Sequence, residues 1–152
     1  MNRAMCELLV VSSPGGHSIQ ANIIFNGLKG KVKGKALMFE CNGRVSTING
    51  RRVSVSDFNI NEVYKLPFVF FQAFKLLMFL KPKVVLSTGA APGFVLCLVG
   101  KLFGSRIIWI DSIANSRKIS LSGRLAYYIS DDFVVQWEKL ETGKSKYFGG
   151  VL

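Results

Sequence analysis

The chain has 152 residues, which is the length of one domain with a sizeable core and excludes a second full domain. Apolar residues make up 49% of the sequence and charged residues only 19%, a composition that excludes a disordered protein. Lysine and arginine outnumber acidic residues by 20 to 9, and this net charge of +11 either lies on solvated faces or attracts phosphates of nucleic acid or of an anionic membrane.

Short β-rich segments alternate with longer helical ones along the chain, a pattern typical of βαβ units. In chain order, we predict a strand at 6–11, a helix at 17–28, strands at 35–39 and 52–55, a helix at 66–80, a strand at 83–87, a helix at 93–103, a strand at 106–110, a helix at 120–130 and a strand at 133–136. The remainder reads as a polar tail. The pattern predicts an α/β fold with a Rossmann-like parallel sheet, in a single domain covering residues 1–152.

The helix predicted at 66–80 is apolar around most of its circumference. Pro67 suits its first turn and Pro82 follows its end. A bilayer crossing needs about 20 apolar residues, so this helix is predicted not to span a membrane. It either lies on a membrane surface or is enclosed entirely in the core. In the first case, three cations at its ends could meet anionic lipid: Lys65, Lys81 and Lys83.

The three cysteines, Cys6, Cys41 and Cys97, have no CxxC spacing, which indicates neither a disulfide framework nor a zinc site. No metal site is predicted. The first residues lack the cleavage signature of a signal peptide, so we expect a cytoplasmic protein.

Ligands of an open parallel sheet bind beyond the carboxyl ends of the strands, where the first loop is glycine-rich. It contains Ser13, Gly15, Gly16 and His17, and its glycines let main-chain N–H groups approach a phosphate at the start of a helix. The spacing is not the GxGxxG of dinucleotide-binding proteins. His17 either packs at the turn or serves a ligand, as proton acceptor or hydrogen-bond partner.

Two later loops reach the same edge. Thr88 and Gly89 precede a second helix start, which either forms the other side of an anion pocket or is an ordinary tight turn. Asp111 follows a strand, where its carboxylate either accepts a proton or caps a helix, and Asn115 and Arg117 could hold ligand oxygens.

Four motifs occur in an order that resembles one family: PGGH at 14–17, STGAAPG at 87–93, WIDSIANSR at 109–117 and VVQWEKLE at 134–141. The chain resembles the PssD-like acceptor-side subunits of split GT-B glycosyltransferases of exopolysaccharide and capsule assembly. These are similar to the membrane-recruiting subunit of the eukaryotic dolichol-linked GlcNAc transferase. The resemblance runs from about residue 8 to residue 152.

The resemblance implies the N-terminal half of a GT-B fold, with a partner subunit that binds the UDP-sugar. It also extends to the acceptor domain of the bacterial lipid II-forming GlcNAc transferase. Carried over from that domain, Gly15, Gly16 and His17 would contact the pyrophosphate or reacting hydroxyl of a polyprenyl-diphosphate-linked sugar, and Asp111 would occupy the acidic position. Either His17 or Asp111 would act as general base in an inverting transfer that needs no metal or other cofactor.

The expected location is therefore the inner face of the cell membrane, in contact with anionic lipid. The alternative is a scaffold without catalytic residues that recruits the catalytic partner to the membrane. Nucleic acid is not an expected partner, because the aromatic residues cluster in the apolar helix instead of alternating with basic ones.

Overall fold

The computed structural model describes residues 6–151. The strands are β1 (Cys6–Ser12), β2 (Ala36–Glu40), β3 (Ser46–Ile48), β4 (Arg51–Val53), β5 (Pro82–Ser87), β6 (Arg106–Ile110), β7 (Asp132–Val135) and β8 (Ser145–Tyr147). The α-helices are α1 (Gly16–Leu28), α2 (Leu66–Leu80), α3 (Ala91–Leu102) and α4 (Leu121–Ile129), and two 3₁₀ helices span Ile60–Lys65 and Glu138–Leu140.

Six strands form one parallel sheet in the order β2-β1-β5-β6-β7-β8. Its central strands are rich in Val, Leu and Ile because a parallel sheet is covered on both faces. Helix α1 packs on one face, over Leu8 and Val10. Helices α2, α3 and α4 pack on the other face, where they enclose a larger core around Leu9, Val11 and Trp109. The predicted α/β, Rossmann-like fold class is confirmed, whereas the single-domain assignment stays a prediction.

Two parts of the sequence prediction were incomplete. The strand predicted at 52–55 is the second arm of an antiparallel hairpin, β3–β4, whose two-residue turn consists of Asn49 and Gly50. Both turn residues have positive φ angles, 49° and 78°, as the hairpin turns compatible with strand twist require. The predicted polar tail contains β8, which pairs with β7 from Phe133 to Val135. The missed strands β3 and β8 have three residues each, which is too short for a periodicity of two to be visible.

Helix α2 has the predicted limits. Lys81 ends it in a left-handed conformation, and Pro82 begins the next strand. One face is buried in the larger core, and the opposite face is exposed, so the helix is not enclosed entirely in the core. The buried residues are Val69, Ala73, Leu76, Leu77 and Leu80, and the exposed apolar ones include Leu66, Phe68, Phe71, Phe74 and Met78.

The 3₁₀ helix before α2 makes the whole helical stretch longer than the sequence predicted. Ile60–Leu80 has 21 residues and is long and apolar enough, by length and composition, to cross a membrane. If α2 crossed a membrane, its buried face would leave the core. The apolar core surface that α2 now covers would then be exposed to water, at a cost of about 25 cal/mol for each Å². The packing of that face instead fits a helix that stays attached to the domain.

Candidate functional site

The loops after β1 and β5 flank the point where the order of the sheet reverses. From β1 the chain crosses to β2 on one side and then to β5 on the other. In open parallel sheets the crevice at such a switch point is where ligands bind, beyond the carboxyl ends of the strands. Three predicted site residues lie at this switch point: His17, at the start of α1, and Thr88 and Gly89, directly after β5.

His17 joins the two loops. Its Nδ1 lies 2.9 Å from the carbonyl oxygen of Thr88, and the Thr88 hydroxyl donates to the carbonyl of His17 at 2.9 Å. Thr88 is fully buried and His17 is half-buried. Because a carbonyl can only accept, Nδ1 carries the proton in this pair, and Nε2 is the nitrogen left to accept one. The imidazole is thus held in one orientation and one tautomer.

Gly89 leaves the space that the imidazole occupies. Its φ angle is +125°, and a Cβ atom placed there would lie 2.7 Å from Cε1 of His17 and 2.9 Å from its Nδ1. Neither contact is sterically possible without movement of the ring or the loop. A residue with a side chain is therefore excluded at this position on both conformational and steric grounds.

We expect Gly89→Ala to displace the ring and to lower the free energy of unfolding by about 1–3 kcal/mol, the range typical of a residue forced into a strained φ. His17 is the only histidine of the chain, so its imidazole NMR signals report the displacement without ambiguity. Gly27→Ala is the matched control, because that position is helical and its Cβ would meet no atom within 4 Å. Unchanged imidazole signals in Gly89→Ala would contradict the contact described here.

The glycine-rich loop after β1 exposes Gly15 and Gly16, as a main-chain phosphate site requires. Gly15 precedes α1 with a φ of +83°, and no side chain caps the first turn of that helix. The N–H of Ser18 donates to the carbonyl of Gly15, so the N–H groups before it are the ones left open to an anion. Ser13 differs: it is buried, and its hydroxyl donates to Oδ1 of Asp57 at 3.3 Å. The structure therefore brings Gly15, Gly16 and His17 together, while Ser13 lies behind them.

Asp111 is 1% exposed, and its carboxylate is enclosed by its own loop. Oδ1 accepts from the Ser120 hydroxyl at 2.7 Å and from the indole N–H of Trp109 at 3.3 Å. Oδ2 accepts from the main-chain N–H of Ser120 at 3.2 Å and from the Asn115 side chain at 3.5 Å. These contacts tie the end of β6 to the start of α4, which Ser120 caps. In this geometry Asp111 holds the loop together and presents no free oxygen to the crevice.

The other two predicted ligand-binding residues, Asn115 and Arg117, also differ in exposure. Asn115 is half-buried against Asp111, and Arg117 is exposed in the same loop. Gln20, which the sequence analysis did not single out, connects this loop to α1. Its side chain donates to the carbonyl of Asp111 at 3.2 Å and accepts from the N–H of Ile113 at 3.3 Å.

The cysteines offer no reactive centre in this structure. Burial raises the pKa of Cys6 to about 11 and that of Cys97 to about 12, and it raises the pKa of Cys41 as well. Thiols of this kind stay protonated near neutral pH and are poor nucleophiles. Within residues 6–151, no group of three or more His, Cys, Asp or Glu side chains is placed to hold a metal ion.

Comparison with known proteins identifies the family. The family model described as "Oligosaccharide biosynthesis protein Alg14 like" matches residues 40–152, more than half of the chain. The chain belongs to this Alg14-like family. The match begins after β1 and α1, so it includes the loops of Thr88 and Asp111 but not that of His17.

Several relatives of the chain are named "UDP-N-acetylglucosamine transferase subunit ALG14". The rat protein is 29% identical over 101 residues, covering 61% of this chain and 47% of its own length. The human protein is 31% identical over 88 residues, covering 53% and 41%. The Candida albicans protein is 39% identical over 77 residues, covering 45% and 35%. The matches thus span less than half the length of these relatives.

Among solved structures, MurG from Acinetobacter baumannii is similar, with a TM-score of 0.66 at 13% sequence identity. The alignment covers 93% of this chain and 44% of MurG. At this identity the likeness establishes the fold alone. It supports the predicted correspondence to about half of a GT-B glycosyltransferase.

Proposed function

We propose that this Alg14-like chain is the acceptor-side subunit of a two-component glycosyltransferase. It would bind a polyprenyl-diphosphate-linked sugar, while a partner subunit presents the UDP-sugar. The observation that carries the proposal is the His17 imidazole at the switch-point crevice, which the Thr88 carbonyl holds so that Nε2 can accept a proton. The names of the relatives support a transferase subunit, and they make UDP-N-acetylglucosamine the first donor to test.

The proposed reaction is an inverting transfer with His17 as general base. A hydroxyl oxygen of the acceptor sugar attacks the anomeric carbon of the UDP-sugar and forms the new glycosidic bond. The bond between that carbon and the UDP oxygen breaks, and UDP leaves with the bonding electron pair. The hydroxyl proton passes to Nε2 of His17. The larger contribution of this chain is to hold the acceptor beside the donor, which can supply several kcal/mol of the barrier reduction.

The exposed main-chain N–H groups of Gly15 and Gly16, together with Arg117, are the groups proposed to attract the diphosphate. Asp111 and Asn115 are proposed to act through the loop that they fix. Thr88 and Gly89 position His17. No metal or organic cofactor is proposed for this subunit.

Acceptor binding can be tested without catalysis. The chain, purified together with its partner, should retain a short-chain polyprenyl-diphosphate-linked sugar in equilibrium dialysis, and excess UDP should not displace it. Displacement by UDP would mean that both ligands share one site and would overturn the division of labour between the subunits. No retention at all would favour the alternative of a scaffold that only recruits the catalytic partner.

We also propose that the subunit lies on an anionic membrane surface through α2 and the β3–β4 hairpin. A groove of about 490 Å³ separates the two, and Arg51, Arg52 and Lys75 line it together with Phe68 and Phe71. The apolar side chains are more than half exposed, and cations lie beside them: the Lys75 ammonium is 4.7 Å from the centre of the Phe71 ring. Apolar side chains flanked by cations are typical of surfaces that insert at a lipid headgroup boundary.

Two of the three lysines predicted from the sequence to meet lipid form ion pairs. Lys65 forms an ion pair with Glu62, and Lys83 forms one with Glu7 at 3.0 Å. Each pair cancels charge that would otherwise attract lipid. Arg51, whose guanidinium lies over the Phe79 ring at 4.6 Å, instead comes from the hairpin that the sequence did not reveal.

Replacement of two of these cations should weaken membrane binding. We expect the double variant Arg51→Gln/Lys75→Gln to bind vesicles containing phosphatidylglycerol roughly 30-fold more weakly, at about 1 kcal/mol for each cation. Lys29→Gln/Lys31→Gln is the matched control, because it removes the same charge at the end of α1, on the opposite face of the sheet. Equal weakening in both variants would indicate attraction through net charge and contradict a defined membrane-binding surface.

The cellular setting follows from the same proposal. An acceptor anchored in the bilayer and a nucleotide-sugar donor in the cytoplasm place the subunit on the inner face of the cell membrane. The assignment to exopolysaccharide or capsule assembly rests on the resemblance to PssD-like proteins alone. The relatives support the transferase subunit and do not bear on that setting.

A further inference from the structure

Three carboxylates lie near the carboxyl ends of β1, β2 and β6, and they differ in what their oxygens contact. Glu40, the last residue of β2, accepts from the Ser18 hydroxyl through Oε2 and from the Asn42 side chain through Oε1. Asp111 is enclosed by four donors, as described above. Asp57 is the exception: Ser13 and the N–H of Phe58 both donate to Oδ1, and within residues 6–151 no group donates to Oδ2.

Asp57 is held rigidly although it is exposed. Val55, two residues before it, and Phe58, directly after it, are buried in the larger core. Gln72 of α2 fixes the intervening segment, because its side-chain oxygen accepts from the N–H of Ser56 at 2.9 Å and its amide donates to Ser54 at 3.4 Å. The carboxylate therefore has a defined direction before any ligand arrives.

Ser13 connects Asp57 to the loop that leads from β1 to His17, so Asp57 lies beside the first part of that loop. Glu138 makes a useful contrast. It is also exposed at the carboxyl edge, but it follows β7, which is three strand spacings from β1, or roughly 14 Å away.

We propose that Asp57 binds hydroxyl groups of the acceptor sugar and sets its orientation toward His17, an inference that rests on the proposed function. A carboxylate accepts hydrogen bonds from sugar hydroxyls and repels a diphosphate. The side of the crevice next to β2 therefore takes the sugar, and the diphosphate lies away from Asp57.

The test is acceptor binding and transfer by the complex of this chain with its partner, with Asp57→Asn compared with the wild type. We expect KM for the polyprenyl-diphosphate-linked sugar to rise roughly tenfold to hundredfold, as for the loss of a charge-assisted hydrogen bond. KM for the UDP-sugar and the unfolding temperature should stay unchanged. Glu138→Gln is the matched control, because it also replaces an exposed carboxylate by its amide at this edge, and it should leave both KM values unchanged.

Acceptor analogues that lack one sugar hydroxyl separate binding from a merely structural role. The effect of Asp57→Asn should disappear with the analogue that lacks the hydroxyl bound by Asp57, whereas a structural defect would persist with every acceptor. An unchanged acceptor KM in Asp57→Asn would overturn the inference, and a lower KM would overturn it and indicate that the diphosphate lies at this carboxylate instead. If the wild-type complex itself neither binds nor uses such acceptors, the proposed function fails, and this inference fails with it.

Discussion

Replacement of His17 by alanine should lower kcat of the reconstituted transferase by roughly 10²- to 10⁴-fold, the usual contribution of a general base. The free energy of unfolding should change little by comparison, because the ring is only half-buried and makes a single side-chain hydrogen bond. Steady-state kinetics of the purified pair, with the acceptor varied at saturating UDP-sugar, gives the measurement.

His17→Gln is the informative companion to that variant. Glutamine can still donate to the Thr88 carbonyl, so the two loops stay joined, but it cannot accept the proton. We expect it to lower kcat nearly as much as alanine does while leaving KM for the acceptor near the wild-type value. Full kcat in His17→Gln would show that the residue joins the loops without acting as the base.

Replacement of Asp111 by alanine, unlike that of His17, should mainly lower the free energy of unfolding. Its carboxylate satisfies the Ser120 hydroxyl and main-chain N–H and the Trp109 indole, all in a buried region. Their loss should lower the free energy of unfolding by about 3 kcal/mol, since hydrogen bonds to charged groups contribute about 1.5–3 kcal/mol each and buried donors without acceptors are costly. Urea denaturation followed by circular dichroism would measure this change as a lower midpoint with an unchanged slope.

The control for Asp111 is Glu138→Ala, which removes an exposed carboxylate and should leave the urea midpoint unchanged. Asp111→Asn should fall between the two, because the amide keeps one acceptor oxygen. An Asp111→Ala protein that unfolds like the wild type and yet loses sugar transfer would restore the catalytic role that the sequence predicts for this residue.

The sequence predicts elements well where local chemistry determines them. The limits of α2 follow from Pro67 at its start and Pro82 after its end, and the structure has them at the same residues. The order of buried strands and helices predicts the Rossmann-like sheet for the same reason. The β3–β4 hairpin and β8 were missed because strands of three residues show no periodicity, although Asn49 and Gly50 are a hairpin signal in themselves.

The candidate site was predicted only in part, because its carboxylates differ in contacts that are distant in sequence. Asp111 has the position of an acidic site residue, and only its contacts with Ser120, nine residues later, reveal that its oxygens are occupied. Asp57 lies between the strand predicted at 52–55 and the helix predicted at 66–80, where the sequence predicts no element. Its contact with Ser13, which is 44 residues away, brings it to the loop that leads to His17.

The sequence also does not predict which face of α2 is exposed. Its sequence is apolar around most of the circumference, so the periodicity of its residues does not distinguish the buried face from the exposed one. The distinction arises from packing against the sheet and α3, and two of the cations beside the exposed face, Arg51 and Arg52, come from a hairpin more than a dozen residues earlier.

Sugar transfer by the purified pair tests the central claim most directly. The chain and its partner, each alone and then together, would be incubated with radiolabelled UDP-N-acetylglucosamine and a polyprenyl-diphosphate-linked sugar. We predict label in the lipid-linked product only when both proteins are present, and its loss when His17 is replaced by glutamine. Transfer by the partner alone at the rate of the pair would contradict an acceptor-side subunit, as would full activity of the pair that carries His17→Gln.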